Sequence, residues 1–255
     1  MKKKKIVIMG ATSGIGLAVA ERLAHKGYQI GVAGRNDEAL QALAARYPGQ
    51  VVWHRIDVTR TECGLGLRKL IDKLGGMDVY FHVAGVLYPN PQVDNALDAA
   101  TVRTNVWGFT QMVDEAYRYF RDEHRGRGRI AAVTSVAGTK GIGTMASYSA
   151  SKRFQSIYLQ ALDQLARTQG LKIRFTDIRP GWVRTPLLDP AERYPMIMPV
   201  DYAARKVGHA VKRGGRVSYV DWRWHILVAL WRLIPDSLWV RMPADRLVPA
   251  GRAKQ

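Results

Sequence analysis

The chain has 255 residues, 47% hydrophobic and 24% charged, the composition of a globular protein with a sizeable core. Its single cysteine, Cys63, excludes an intramolecular disulfide framework and a Cys-rich zinc site; the six histidines form no H-E-x-x-H pair, so no metal site is expected. Lys and Arg number 39 against 21 Asp and Glu, a formal charge of +18 that attracts nucleic acid, anionic lipid or small anions.

Apart from Lys2–Lys5 and the stretch Arg125, Arg127, Arg129, the basic residues are dispersed, which favours general basicity with an anionic ligand over nucleic acid. The apolar stretch Ile6–Met9 is too short for a signal core, and Ile226–Trp231 is far below the roughly 20 residues of a spanning helix. A cytoplasmic protein, at most peripherally membrane-associated, is expected.

In chain order, Ile6–Met9 reads as a buried strand and Ile15–Lys26 as a helix. Gln29–Ala33 is a strand, Asp37–Arg46 a helix, Val51–His54 a strand and Gly66–Leu74 a weak helix. Asp78–Val83 is the fourth strand, Thr101–Glu123 a long helix, Arg129–Thr134 the fifth strand and Tyr148–Thr168 another long helix. Leu171–Ile178, Asp201–Lys212 and Val217–Val220 continue the alternation. Strands alternating with helices predict an α/β, Rossmann-like, doubly wound parallel sheet with helices on both faces. With no linker or repeat, one domain spans 1–255, with 222–255 as an amphipathic C-terminal extension.

Between the first strand and first helix lies Gly10-Ala11-Thr12-Ser13-Gly14-Ile15-Gly16. Glycines there let the backbone approach a pyrophosphate whose charge faces a helix N-terminus, so a dinucleotide is expected. The second strand ends at Ala33-Gly34-Arg35-Asn36, with no acidic residue before Asp37. An arginine favours a 2′-phosphate where a carboxylate would repel it, so NADP(H) is preferred to NAD(H); a solvated surface arginine is the plainer reading.

Tyr148-Ser149-Ala150-Ser151-Lys152 puts a phenol and an ammonium on one face of a helix. The positive charge is expected to lower the tyrosine pKa, fitting it for proton exchange with a carbonyl or alcohol oxygen. A second copy, Tyr202 to Lys206, reads as an ordinary helix face. Ser135 separates the two: it lies 13 residues before Tyr148, at the C-terminal end of the fifth strand. Its plainer role is a helix or turn cap.

Together these residues resemble the short-chain dehydrogenase/reductase family in its single-domain form, from Ile6 to about Val220. The resemblance implies that Gly10, Thr12, Ser13, Gly14, Ile15 and Gly16 form the cofactor loop, and that Asp57-Val58 holds the adenine. It implies a catalytic tetrad of Asn105, Ser135, Tyr148 and Lys152, with Asn105 supporting the lysine through water. Pro180-Gly181-Trp182-Val183-Arg184-Thr185 resembles the segment that closes on the nicotinamide, with Val183 and Thr185 meeting its carboxamide. Ala84 and Gly85 belong to the family's Asn-Asn-Ala-Gly turn, but this chain has His82-Val83 in place of the asparagines, and Met9 replaces a frequent threonine.

The implied reaction is NADP(H)-dependent hydride transfer to a carbonyl, or from a secondary alcohol, with Tyr148 exchanging the proton. The alternative is a non-catalytic NADP(H)-binding sensor or interaction module. Pro186–Pro199 occupies the place of the family's mobile lid, and its apolar residues suggest an apolar substrate, with Tyr88, Met145 and Trp182 as further lining. Trp222–Val240 repeats large apolar residues at helical spacing. Core or subunit contact leads, ahead of a membrane-surface helix or a pocket cover. The resemblance also implies a homodimer or homotetramer through the two long helices.

Overall fold

The computed structural model describes residues 4–243. Among these residues seven strands form one parallel sheet: β1 (Lys5–Met9), β2 (Gln29–Gly34), β3 (Val51–Arg55), β4 (Val79–His82), β5 (Arg127–Val133), β6 (Lys172–Arg179) and β7 (Val217–Tyr219). The order is β3-β2-β1-β4-β5-β6-β7, so the chain reverses direction across the sheet between β1 and β4. In open α/β sheets a ligand crevice forms at that reversal, outside the carboxyl ends of the strands.

The helices are α1 (Gly14–His25), α2 (Asp37–Arg46), α3 (Cys63–Leu74), α4 (Asn95–Val102), α5 (Phe109–Asp122), α6 (Ala146–Thr168), α7 (Val200–Arg213), α8 (Trp222–Trp231) and α9 (Asp236–Trp239). They cover both sheet faces. Ile6 and Ile8 of β1 join α1, α2, α7 and α8 residues in one core cluster, whereas Val7 and Met9 join α3, α5 and α6 residues in the other. That alternation is the two-residue period of a strand buried on both sides.

Two expectations need correction, and one basic residue is buried. The long helix read over Thr101–Glu123 starts earlier, in α4, and is interrupted by a π-helical segment, Arg103–Gly108, before α5. Gly108 lies so close to Val58 that a Cβ would be 2.6 Å from the Val58 carbonyl oxygen, so the wider turn accompanies close backbone packing. Of the basic stretch near 127, Arg129 is no surface charge: it is buried and donates to Thr176 Oγ1 (2.9 Å) and the Gly214 carbonyl (2.8 Å). The extension after 221 is not amphipathic where it is described. In α8, Trp224, Val228 and Trp231 are buried, yet Trp222, Ile226 and Leu230 on the other side are also apolar. Residues of that extension beyond 243 lie outside the described part. Among the described residues no helix is long and apolar enough to cross a membrane.

Candidate active site

A cavity of about 490 Å³ runs along the carboxyl ends of the central strands. Every residue expected to bind the cofactor lines it except Asn105. The β1–α1 turn is bare because nothing else fits. Gly10 has φ +98°, and a Cβ there would lie 2.6 Å from the Ala84 nitrogen; a Cβ on Gly16 would lie 2.0 Å from the Gly10 carbonyl oxygen. Both contacts are with backbone, which cannot yield as a side chain can. Gly10 and Ala11 N–H donate to the Ala33 carbonyl (2.8 and 3.0 Å), fixing the turn against β2. Ser13 stands at the N-cap of α1 without making a side-chain cap, which leaves the helix N-terminus able to receive an anion.

At the β2 end of the cavity Arg35 is exposed, and Asp57 faces it from the loop after β3. Partial burial opposes ionisation of Asp57, but the Thr59 N–H (2.9 Å) and hydroxyl (2.7 Å), then Arg35 and Arg60, hold its carboxyl below the ordinary value. Sequence reading missed a second cation here. The β2–β3 register sets Arg55 beside Gly34, and its Nε donates to the Arg35 carbonyl at 3.3 Å. Val83, at the position of a family asparagine, sets its side chain against Gly16 and the core below the turn.

Ser135, Tyr148 and Lys152 line the same cavity on the β5–α6 side. Ser135 takes its plainer expected role as a turn cap. Its Oγ caps the short turn Val136–Thr139 by accepting from the Ala137 N–H (3.0 Å), and its hydroxyl lies near enough to the Tyr148 phenol to favour the phenolate. Lys152 carries its ammonium 5.7 Å from the centre of the Tyr148 ring. Burial dominates both titrations. The phenol is pushed up to about 12, with the Ser135 hydroxyl opposing, and the ammonium is lowered to about 8, with Asp177 opposing. The lowered tyrosine pKa expected from the charge of Lys152 is therefore not found, because desolvation raises it.

Asn105 lies outside the cavity lining, fully buried in the π-helical segment. Its side-chain oxygen accepts from the Val86 N–H (2.9 Å) while its amide donates to the Val86 carbonyl (2.8 Å) and Ser151 Oγ (3.2 Å). Its backbone carbonyl accepts from Gln155 Nε2 (2.8 Å), and Gln155 Oε1 accepts from Lys152 Nζ (3.1 Å). A side-chain amide thus makes the bridge that the family resemblance assigns to water. Lys152 also donates to the Val133 carbonyl at 3.2 Å. Beneath this group His82 is buried, with Nδ1 2.8 Å from the Tyr80 hydroxyl and Nε2 without a partner among the described residues. Burial, and then the charge of Lys152, lowers its pKa to about 3.

The far wall comes from late in the chain. The Val183–Met198 bridge pins the two ends of the segment 186–199, of which Pro186, Leu187, Leu188, Pro195 and Met196 line the cavity. Thr185 approaches the glycine turn: a Cβ on Gly14 would lie 3.2 Å from its side chain. Trp182 lines the cavity and meets Tyr194 at 4.8 Å between ring centres, but the other lining residues expected, Tyr88 and Met145, do not reach it. Instead Trp224, Leu227, Trp231 and Trp239 complete the wall, so the core and pocket-cover readings of this segment both hold. Trp231 Nε1 donates to Thr139 Oγ1 (2.8 Å) and Trp239 Nε1 to the Gly141 carbonyl (2.7 Å), tying α8 and α9 to the loop that follows Ser135. The second tyrosine–lysine pair is an ordinary helix face, Lys206 lying over the Tyr202 ring in α7.

Three comparisons bear on this geometry. The family model described as short chain dehydrogenase matches residues 4–194. A relative from Myxococcus xanthus (strain DK1622), described as an uncharacterized oxidoreductase, is 30% identical over 251 residues, 93% of this chain and 95% of that protein. Among solved structures, ElxO with NADP bound is similar with TM-score 0.76 at 20% identity, covering 88% of this chain and 99% of that one. An actinorhodin polyketide ketoreductase variant with NADPH is similar with TM-score 0.74 at 24% identity, covering 86% and 95%.

Proposed function

The chain belongs to the short-chain dehydrogenase family, and from that membership we propose that it is an NADP(H)-dependent oxidoreductase interconverting a carbonyl and a secondary alcohol. The observation that carries the reading is the meeting of Ser135, Tyr148 and Lys152 in the same cavity as the bare glycine turn and Arg35. The residues present fit a dinucleotide. Gly10 and Gly16 leave no Cβ in the cradle, the α1 N-terminus is uncapped by Ser13, and Arg35 and Arg55 lie where a 2′-phosphate needs cations. Gly10, Thr12, Ser13, Gly14, Ile15 and Gly16 would hold the pyrophosphate end, Asp57 and Val58 the adenine, and Ala84, Gly85, Asn105, Tyr148, Lys152, Pro180, Gly181, Val183 and Thr185 the nicotinamide half.

When bound, the nicotinamide supplies or accepts a hydride at the substrate carbon. The chain's own residues handle the oxygen. Ser135 orients it by a hydrogen bond beside the phenol. Tyr148, with its pKa at about 12, is protonated at neutral pH and donates that proton as the carbonyl becomes an alcohol. Lys152, held by Gln155 and Val133, keeps a positive charge beside the phenol and stabilises the phenolate left behind. The apolar wall of Leu187, Leu188, Met196 and four tryptophans suits a bulky apolar substrate and excludes water.

The test is NADPH consumption with a panel of ketones, diketones, steroids and acyl thioesters, with NADH and Tyr148→Phe in parallel. Turnover with NADPH that falls roughly 100-fold or more in the variant is the expected result. Equal turnover in the variant would remove the proton-donor role. NADPH binding without turnover across the panel would favour the sensor alternative.

A further inference from the structure

Helix α8 is apolar on two opposite sides. Its inner side, Trp224, Val228 and Trp231, is buried in the core and walls the cavity. Its outer side presents Trp222 (68% exposed), Ile226 and Leu230 (59%) at successive turns, and the stripe continues through Leu233 (79%), Leu238 and Val240 (76%). A helix that is apolar all round is ordinarily covered all round, and an exposed apolar stripe of this kind marks an interaction surface. Nothing on the rest of the described chain covers these side chains.

We propose that this face docks on the surface of an anionic lipid bilayer. Charge selects the occupant. From Trp222 onward the sequence holds six basic residues, Arg223, Arg232, Arg241, Arg246, Arg252 and Lys254, against two acidic ones, Asp236 and Asp245, in a chain of net charge +18; Arg223 is already paired with Asp221, which leaves five of the six to count. Arg232 and Arg241 are exposed beside the stripe, while the one acidic side chain on α9, Asp236, is neutralised by Lys140. A second copy seated on the same face would add its own arginines to the contact with no carboxylate to match them, whereas anionic headgroups neutralise them. The helix is too short to span: ten residues rise about 15 Å, half the hydrocarbon thickness. It therefore lies in the interface, with Trp222 at the headgroup level. On the proposed oxidoreductase reading, the substrate cavity then stands one helix away from the lipid, which points to a carbonyl or alcohol carried on a membrane-dissolved apolar molecule.

The docking is tested on the full chain by co-sedimentation with vesicles of phosphatidylcholine alone and of phosphatidylcholine with phosphatidylserine. No cofactor is present, so the result is independent of turnover. Binding to the anionic vesicles is expected, weakening as salt rises. The double variant Ile226→Gln with Leu230→Gln, both on the exposed side, should abolish it with the melting temperature unchanged. Arg232→Gln and Arg241→Gln should each weaken it roughly fivefold. No sedimentation with anionic vesicles at low salt overturns the proposal, as does equal sedimentation of the Ile226→Gln, Leu230→Gln variant. A dimer or tetramer in solution that this variant dissociates also overturns it, by assigning the face to a second copy. NADPH turnover on a water-soluble ketone, measured separately, reports on the oxidoreductase reading alone.

Discussion

The indole of Trp224 occupies the space that a side chain on Gly181 would need: a Cβ there would lie 2.0 to 2.4 Å from its ring atoms. Gly181 belongs to the segment over the cavity and Trp224 to α8, so the C-terminal wall rests on the one residue of that segment able to admit it. Gly181→Ala should cost about 1–3 kcal/mol through overpacking, while Gly141→Ala, where a Cβ meets nothing within 4 Å, should be near neutral. In a Trp224→Ala background the Gly181→Ala cost should vanish. Urea unfolding of the four proteins closes the cycle, and additive losses would deny the contact.

Arg35 lines the end of the cavity where we propose that the adenosine sits, and Arg55 lies beside it. Replacing Arg35 by Asp should weaken NADPH roughly tenfold to a hundredfold and improve NADH, since one charge-assisted pair is lost and a repulsion gained. Arg55→Gln should give a smaller loss in the same direction, because its guanidinium is shared with Asp37 at 3.7 Å. Kd values for the two cofactors, read by fluorescence titration, decide it. Unchanged discrimination in both variants would place the 2′-phosphate elsewhere.

Gln155 ties Lys152 to the Asn105 carbonyl, which makes it a positioning residue. Gln155→Leu keeps the volume and removes both hydrogen bonds, so kcat should fall about tenfold with KM little changed. Gln155→Glu sets a carboxylate against the ammonium, which favours its charged form and should raise the Lys152 titration above about 8. The pH profile of kcat separates these outcomes from simple loss of packing. Identical profiles for wild type and Gln155→Glu would sink the assignment.

His82 is buried and its pKa is lowered to about 3, whereas in the unfolded chain it takes up a proton near pH 6.5. Between those values the unfolded state binds the extra proton, so stability is present above pH 6.5 and is lost as pH falls, by up to about 1.4 kcal/mol per unit. His82→Asn should flatten this limb. Urea unfolding at pH 6.5 and pH 5, a window above most carboxylate titration, measures it. An equal slope in the variant would assign the acid sensitivity to other groups.

The strand–helix alternation is legible in the sequence because each central strand is buried on both faces and so reads as a short apolar run. The glycine turn, Ser135 and the Tyr148–Lys152 pair are legible because local spacing dictates their geometry. Gln155 is not: its partner Asn105 lies 50 residues away, and from sequence it is one polar residue on a long helix. The π-helical segment around Asn105 is hidden because helical periodicity continues through it. Arg55 is visible only once the β2–β3 register is known. The tryptophan wall is half legible, since spacing marks α8 as a packed helix but only the tertiary contact with Gly181 shows where it packs. The rise of the Tyr148 titration is hidden in the sequence because charge proximity is readable from spacing, whereas burial is not.

Trp231, Trp239 and Lys140 join α8, α9 and the link between them to the loop just after Ser135. During synthesis, the glycine turn, Tyr148 and Lys152 leave the ribosome well before Trp222, so a nascent chain can form the sheet with one side of its cavity still missing. The cavity is walled in only once Trp239 has emerged, so a nascent chain halted before Trp222 holds Ser135, Tyr148 and Lys152 in a cleft that lacks one side.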